Sequence, residues 1–110
     1  MITTLNELKS SLSSISTFRN KVAYRAFPVG KAPKLPFICY LVTDTDNFDA
    51  DNKVYHVIQS VDIELYTAKK DVQTESLLEA KFAEIGLVWD KDETYLDDEN
   101  CYEIIYSTTI

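Results

Sequence analysis

Apolar residues recur at helical spacing at the start of the chain, where Leu5, Leu8, Leu12 and Ile15 fall three or four positions apart. This predicts a helix from about Leu5 to Ser13. Thr4, followed three residues later by Glu7, supplies a capping box for its first turn. Val22 to Phe27 reads as a short strand. Pro28, Gly30, Pro33 and Pro36 then forbid regular structure across the connection that follows. The run "FICYLVT", residues 37–43, is apolar at both odd and even positions, the pattern of a central strand covered on both faces.

Strict alternation follows in "KVYHVIQSVDIELYT", residues 53–67. Tyr55, Val57, Val61, Ile63 and Leu65 share one face with Gln59, and His56, Ser60, Asp62 and Glu64 share the other with Ile58 and Tyr66. One long strand with a single core-facing side is expected. The period then changes to 3.6 in "DVQTESLLEAKFAEIG". Val72, Leu77, Leu78, Phe82 and Ile85 gather on one side of a helix that Asp71 caps and Gly86 ends. Strand character returns in "LVWD" and in "CYEIIYSTTI", where Tyr102, Ile104, Tyr106 and Ile110 alternate with Glu103, Ser107 and Thr109. The charged link "KDETYLDDEN" between these two runs reads as a hairpin loop or a frayed edge.

The element order is α-β-β-β-α-β-β. Consecutive strands joined mostly by short links favour an α+β domain: a mostly antiparallel sheet of about four to five strands with two helices packed against it. At 110 residues the chain is expected to form one domain, 1–110, and to bury roughly two-thirds of its unfolded surface without a staple. Cys39 and Cys101 have no CxxC spacing and are expected as free, buried thiols. The N-terminal residues show neither the basic region nor the apolar core of a signal peptide, and no apolar run approaches the ~20 residues of a membrane span. No membrane partner is expected.

Eighteen acidic residues against eleven basic ones give a net charge of −7, a field that repels a phosphate backbone. The acids are densest in "TDTDNFDADN", residues 43–52, with four aspartates and two asparagines. A calcium loop of the EF-hand type needs oxygen ligands at positions 1, 3 and 5, glycine at 6 and glutamate at 12. Counting from Asp44 puts Phe48 at position 5 and Tyr55 at 12. Counting from Asn47 puts Asn52 in place of glycine and Ile58 in place of glutamate. No dedicated metal site is expected. The stretch reads as an acidic turn between strands.

Catalytic patterns fail as well. His56 is the only histidine and lies in the alternating strand, where a structural role is the commoner one. No GxSxG, HExxH or phosphate-cradling glycine loop occurs, and acidic pairs such as Asp97 and Asp98 come with no motif that would tune them. No enzyme activity and no cofactor are expected. Most of the seven tyrosines fall in strands, where aromatics serve the core or subunit contacts.

Three segments, in their order and spacing, carry a resemblance. "LPFICY" (35–40), "FDADNKVYH" (48–56) and "IELYTAKKDVQTESLLEAKF" (63–82) are similar to the small tail-completion proteins of long-tailed phages and prophages, chiefly of Gram-positive hosts. The ending "ENCYEIIYSTTI" extends the likeness to about two-thirds of the chain. The family's "ADN…Y" matches Ala50, Asp51, Asn52 and Tyr55, and its "LYT…KD…E" matches Leu65, Tyr66, Thr67, Lys70, Asp71 and Glu75. Phe37 departs from it, standing where tyrosine follows the proline.

The resemblance implies a non-enzymatic virion protein of the tail-terminator or head–tail joining kind, assembled in the host cytoplasm. Such α+β subunits cap the head-proximal end of the tail tube as a ring, typically of six. They contact the tube protein and the head-closure or connector proteins, and genomic DNA only transits the ring. On this reading the acidic loop lies at a ring edge, with Phe48, Asp49, Asp51, Asn52 and Tyr55 as interface residues. A head-closure ring is the nearest alternative. An acidic inhibitor that mimics DNA belongs to a different class, and a small enzyme is disfavoured by the missing motifs.

Overall fold

The structure is a computed structural model. It describes the backbone of residues 2–50 and 53–110, and the side chains of these residues apart from 46–57. The chain is an α+β protein with two helices and a five-stranded sheet. In chain order the elements are α1 (Leu5–Ser13), β1 (Val22–Tyr24), β2 (Phe37–Ala50), β3 (Lys53–Thr67), α2 (Val72–Glu84), β4 (Trp89–Leu96) and β5 (Cys101–Thr109). A short 3₁₀ turn, Ser16–Phe18, follows α1.

Both helices begin where the sequence signals place them. The Thr4 hydroxyl accepts from the Glu7 N–H at 3.1 Å, and the Glu7 carboxylate accepts from the Thr4 hydroxyl and the Thr3 N–H. Asp71 caps α2 by accepting from the Thr74 N–H at 3.1 Å and its hydroxyl at 2.7 Å. Gly86, at φ 78°, takes the left-handed turn that ends α2. Leu87 N–H donates to the Phe82 carbonyl and Gly86 N–H to the Ala83 carbonyl, the paired bonds of a Schellman cap.

The sheet order is β1-β2-β3-β5-β4. Every pairing is antiparallel except the first, since β1 runs parallel to β2. A parallel neighbour needs a crossover of about a dozen residues, and the proline-bearing link 25–36 provides it. β1 is shorter than expected. It stops at Tyr24 because Arg25 adopts φ 68° and turns the chain out of the sheet.

Helices α1 and α2 share one face of the sheet. Leu8, Leu12, Phe18, Leu78 and Phe82 are fully buried there against Ile38, Val61, Ile63, Leu65, Ile104 and Tyr106. The alternation expected for β3 therefore holds at Val61, Ile63 and Leu65. Tyr55 and Val57 lie among the residues whose side chains are not described.

Three expectations are corrected. The link "KDETYLDDEN", expected as a hairpin loop or a frayed edge, is an ordered edge strand through Leu96: those residues form most of β4, whose side chains can stay charged because one edge faces water. The acidic stretch is not an inter-strand loop, since β2 continues through it to Ala50. Strand propensity was a poor guide because aspartate is tolerated where the strand is not sandwiched. On α2, Val72 and Leu77 are exposed, and Thr74 and Glu75 are buried beside Leu78 and Phe82. The contact stripe is rotated toward Glu75, whose charge is matched by partners distant in sequence.

Candidate functional site

Two features stand out from the packed body: a long hairpin and a sheet face without helices. The hairpin comes from unequal strand lengths. β5 pairs β3 from Thr67 to Ser60, and backbone bonds between Gln59 and Ile110 close that ladder. Beyond this point β2 and β3 pair only with each other, out to Ala50 opposite Lys53, with a register shift between Phe48 and Asp49. A register shift between Val42 and Asp44 marks a bulge at Thr43, whose hydroxyl donates to the Ser60 carbonyl at 3.3 Å. Bulges raise local twist, so the arm bends where its third strand ends.

Of the expected interface residues, Phe48, Asp49 and Tyr55 belong to this arm, with Phe48 opposite His56 and Asp49 opposite Val54. Their side chains lie outside the described residues. Asp51 and Asn52 lie outside the described residues altogether. Asp44, the candidate first calcium ligand, sits in β2 opposite Ser60. Among the described residues, no three His, Cys, Asp or Glu side chains converge as a metal site. No helix among them is long and apolar enough to cross a membrane.

The second feature is the sheet face opposite the helices. Link 25–36 covers only its lower end, where Phe27 meets Phe37 edge-on at 5.2 Å and Phe37 leans on Tyr66 at 5.1 Å. Between the link and the turn before β5 lies a cleft of about 350 Å³. Cys39, Tyr66 and Cys101 line it, with Arg25 and Glu99 in its walls. The Tyr66 hydroxyl donates to Glu103 at 2.9 Å and has Glu64 at 3.2 Å on its other side. Burial, then the carboxylate of Glu103, pushes the Glu64 carboxyl up. Burial and the bond to Glu103 push the Tyr66 hydroxyl up as well.

The expected thiols are free and buried. Burial, followed by Glu64 and Glu103, raises the Cys39 thiol to about 11, so it is a poor nucleophile. Cys39 is opposite Glu64, whereas Cys101 stands next to Tyr102, which is opposite Thr67. The two are separated by two strand spacings and several residues along the strands. Their Cα atoms are thus about 15 Å apart, roughly twice the reach of a disulfide.

A charged network ties α2 to β4. Glu75, only 2% exposed, receives the ammonium of Lys70 at 2.8 Å and of Lys91 at 2.6 Å. Lys91 also meets Glu79 at 2.7 Å and lies 5.6 Å from the Tyr106 ring centre, and the Tyr106 hydroxyl donates to Glu79 at 2.7 Å. Lys70 additionally binds Glu93. Burial pushes the Glu75 carboxyl up, but the two lysines outweigh it and hold it below the ordinary glutamate range. Every carboxylate here is matched, so the network works as a clamp between helix and edge strand.

This clamp explains one motif on structural grounds. Lys70, Asp71 and Glu75 of "LYT…KD…E" form the β3–α2 junction, as ion-pair partner, helix cap and buried acid, and Leu65 and Thr67 are buried beside it. Sequence reading missed Glu79, Lys91 and Tyr106. Glu75 and Glu79 are one helical turn apart, a usable signal, but nothing local announces that Lys91 will reach them. No protein-family model matches the chain, and no curated protein is significantly similar to it.

Proposed function

We propose that this protein is a structural tail-terminator or head–tail joining subunit of a long-tailed phage or prophage, seated as a ring at the head-proximal end of the tail tube. The observation that supports this best is the arm: a two-stranded ribbon that extends past the sheet and pairs only with itself. An isolated two-stranded hairpin is marginal in water. A subunit gains by docking such an arm on a neighbour, whether the next copy or the tube. The arm carries Phe48, Asp49 and Tyr55, and with them part of the segment that resembles the tail-completion proteins. In this reading the protein is a non-catalytic virion component.

The test is to incubate the purified chain with phage tails and with filled heads, and to image both by electron microscopy. A ring at the head-proximal end of tails supports the proposal. A ring on the head portal instead makes the protein a head-closure component. No ring, with tight capture of a DNA-binding protein, would support the inhibitor reading. Phe48→Ala should leave the fold intact and weaken attachment to tails, and undiminished capping would remove that residue from the interface.

A further inference from the structure

The charges of this chain are segregated. Residues 1–36 hold six of the eleven Lys and Arg but one of the eighteen Asp and Glu, and residues 37–110 hold the other five and seventeen. The first segment thus carries +5 and the second −12, which the net −7 conceals. The strand order turns that polarity into geometry, because β1 and β4 are the two opposite edges of the sheet.

Arg19 and Lys21 lie just before β1 and Arg25 just after it; both arginines are exposed and Lys21 is half-buried. Asp90 and Asp92 are exposed on β4. Among the described residues every ion pair is made by Lys70, Lys81 or Lys91, so none involves these three cations or these two acids. Each edge also presents a partly exposed tyrosine, Tyr24 at 46% and Tyr95 at 45%. Each of these rings stands edge-on to an inner one, Tyr40 at 5.2 Å and Tyr102 at 5.0 Å, so both are held in place.

The register completes the match. The row that starts at Ala23 passes through Cys39, Glu64 and Ile105 to Asp92, and the row at Tyr24 ends at Lys91. Arg25, at the turn just past Tyr24, and Asp90, just past Lys91 in the same direction across the sheet, therefore lie at the same end of opposite edges. β4 also runs antiparallel to β1, as the successive pairings require. A second copy set beside the first in the same orientation brings its Asp90 to the end of the edge where Arg25 lies. Its Asp92 falls between Lys21 and Arg25.

We propose that the protein associates with itself head to tail, the basic β1 edge of one copy docking on the acidic β4 edge of the next. The net charge opposes this contact at long range, and the local charges favour it at short range. Screening decides between them. The two edges are about 19 Å apart across four strand spacings, whereas the screening length at physiological salt is about 8 Å. Each edge is felt mainly by what touches it. Asp90 and Asp92 also keep a bare edge strand from pairing with neutral strands and leave it open to a basic one. The contact is heterologous, so it closes a ring or propagates a filament according to the rotation per subunit. This deepens the ring reading of the preceding section and rests on it for closure alone.

Sedimentation velocity of the full chain, with circular dichroism to confirm folding, tests the contact. The wild type should associate near physiological salt, where the net repulsion is screened beyond about 8 Å, and dissociate as salt rises well above it. Arg19→Glu with Lys21→Glu and Arg25→Glu makes both edges acidic, and Asp90→Lys with Asp92→Lys makes both basic. Each variant alone should weaken association by about tenfold or more. Mixed one to one, they should associate again, alternating around an even-numbered ring. Variants that associate like wild type, a mixture that fails to restore association, or a wild type monomeric at physiological salt up to about 1 mM would each overturn the proposal. Tail capping separates the two readings. Capping by both variants retires the edge contact alone, and self-association through these edges without capping retires the tail reading alone.

Discussion

Glu75 on α2 and Lys91 on β4 meet at 2.6 Å beneath a helix whose sequence alone would turn that glutamate toward water. The pair fixes how the helix is rotated on the sheet. It also ties the outermost strand to the core through Tyr106, which the Lys91 ammonium overlies.

Glu75→Gln keeps the shape and removes the charge. The two lysines retain Glu79 and Glu93, so the loss should be about 1.5–3 kcal/mol at neutral pH, the range for hydrogen bonds to charged groups. The pH dependence has a definite sign. The folded-state pKa lies below the ordinary value of 4.5, so the stabilisation is present above about that pH and is lost as pH falls through the folded pKa. Denaturant melts of wild type and mutant should therefore converge in acid and stay apart at pH 7.

Thr67 is 2% exposed, and among the described residues its hydroxyl has no hydrogen-bond partner. Thr67→Val replaces an orphaned hydroxyl with a methyl group of similar size. Stability should rise by about 0.5–2 kcal/mol, the cost of burying such a group unpaired. An unchanged or lower denaturation midpoint would mean that the hydroxyl is satisfied in solution.

Val61 is fully buried and its neighbour Asp62 faces the open side of the sheet, bonded by the Ser107 hydroxyl at 2.9 Å. Val61→Asp should therefore unfold or nearly unfold the protein, since an unpaired buried carboxylate costs several kcal/mol against a margin of about 5–15. Asp62→Val should cost about 1 kcal/mol or less, the scale of one exposed hydrogen bond. Equal losses in urea melts would mean that the register of β3 is wrong.

The thiol of Cys39, raised to about 11 and buried, should resist modification. At pH 8 its thiolate fraction is about one part in a thousand, against about a quarter for an ordinary cysteine. Ellman's reagent should react with neither cysteine quickly in the folded protein and with both at once in denaturant. Mass spectrometry after mild oxidation should find no internal disulfide.

Local chemistry was legible in the chain. The cap at Thr4, the cap at Asp71, the stop at Gly86 and the alternation of β3 at Val61, Ile63 and Leu65 depend on neighbours within a few positions, and the α+β order follows from them. Expectations that rested on local character but concerned distant partners fared worse. The charged link became edge strand β4, and the acidic stretch became part of a hairpin. Aspartate disfavours a strand only where its side chain must be buried, and that depends on what lies beside it.

The sequence by itself determined the two helices and their caps, the α+β order of elements, which row of β3 enters the core at Val61, Ile63 and Leu65, and that both thiols are buried and free. Only the tertiary structure decided that β1 lies parallel at one edge, that Glu75 is buried against Lys91, and that basic and acidic segments occupy opposite edges of the sheet. The first set follows from periodicity and capping, which act over one or two turns of chain. The second follows from strand order, which brings together residues whose separation in sequence carries no record of their contact.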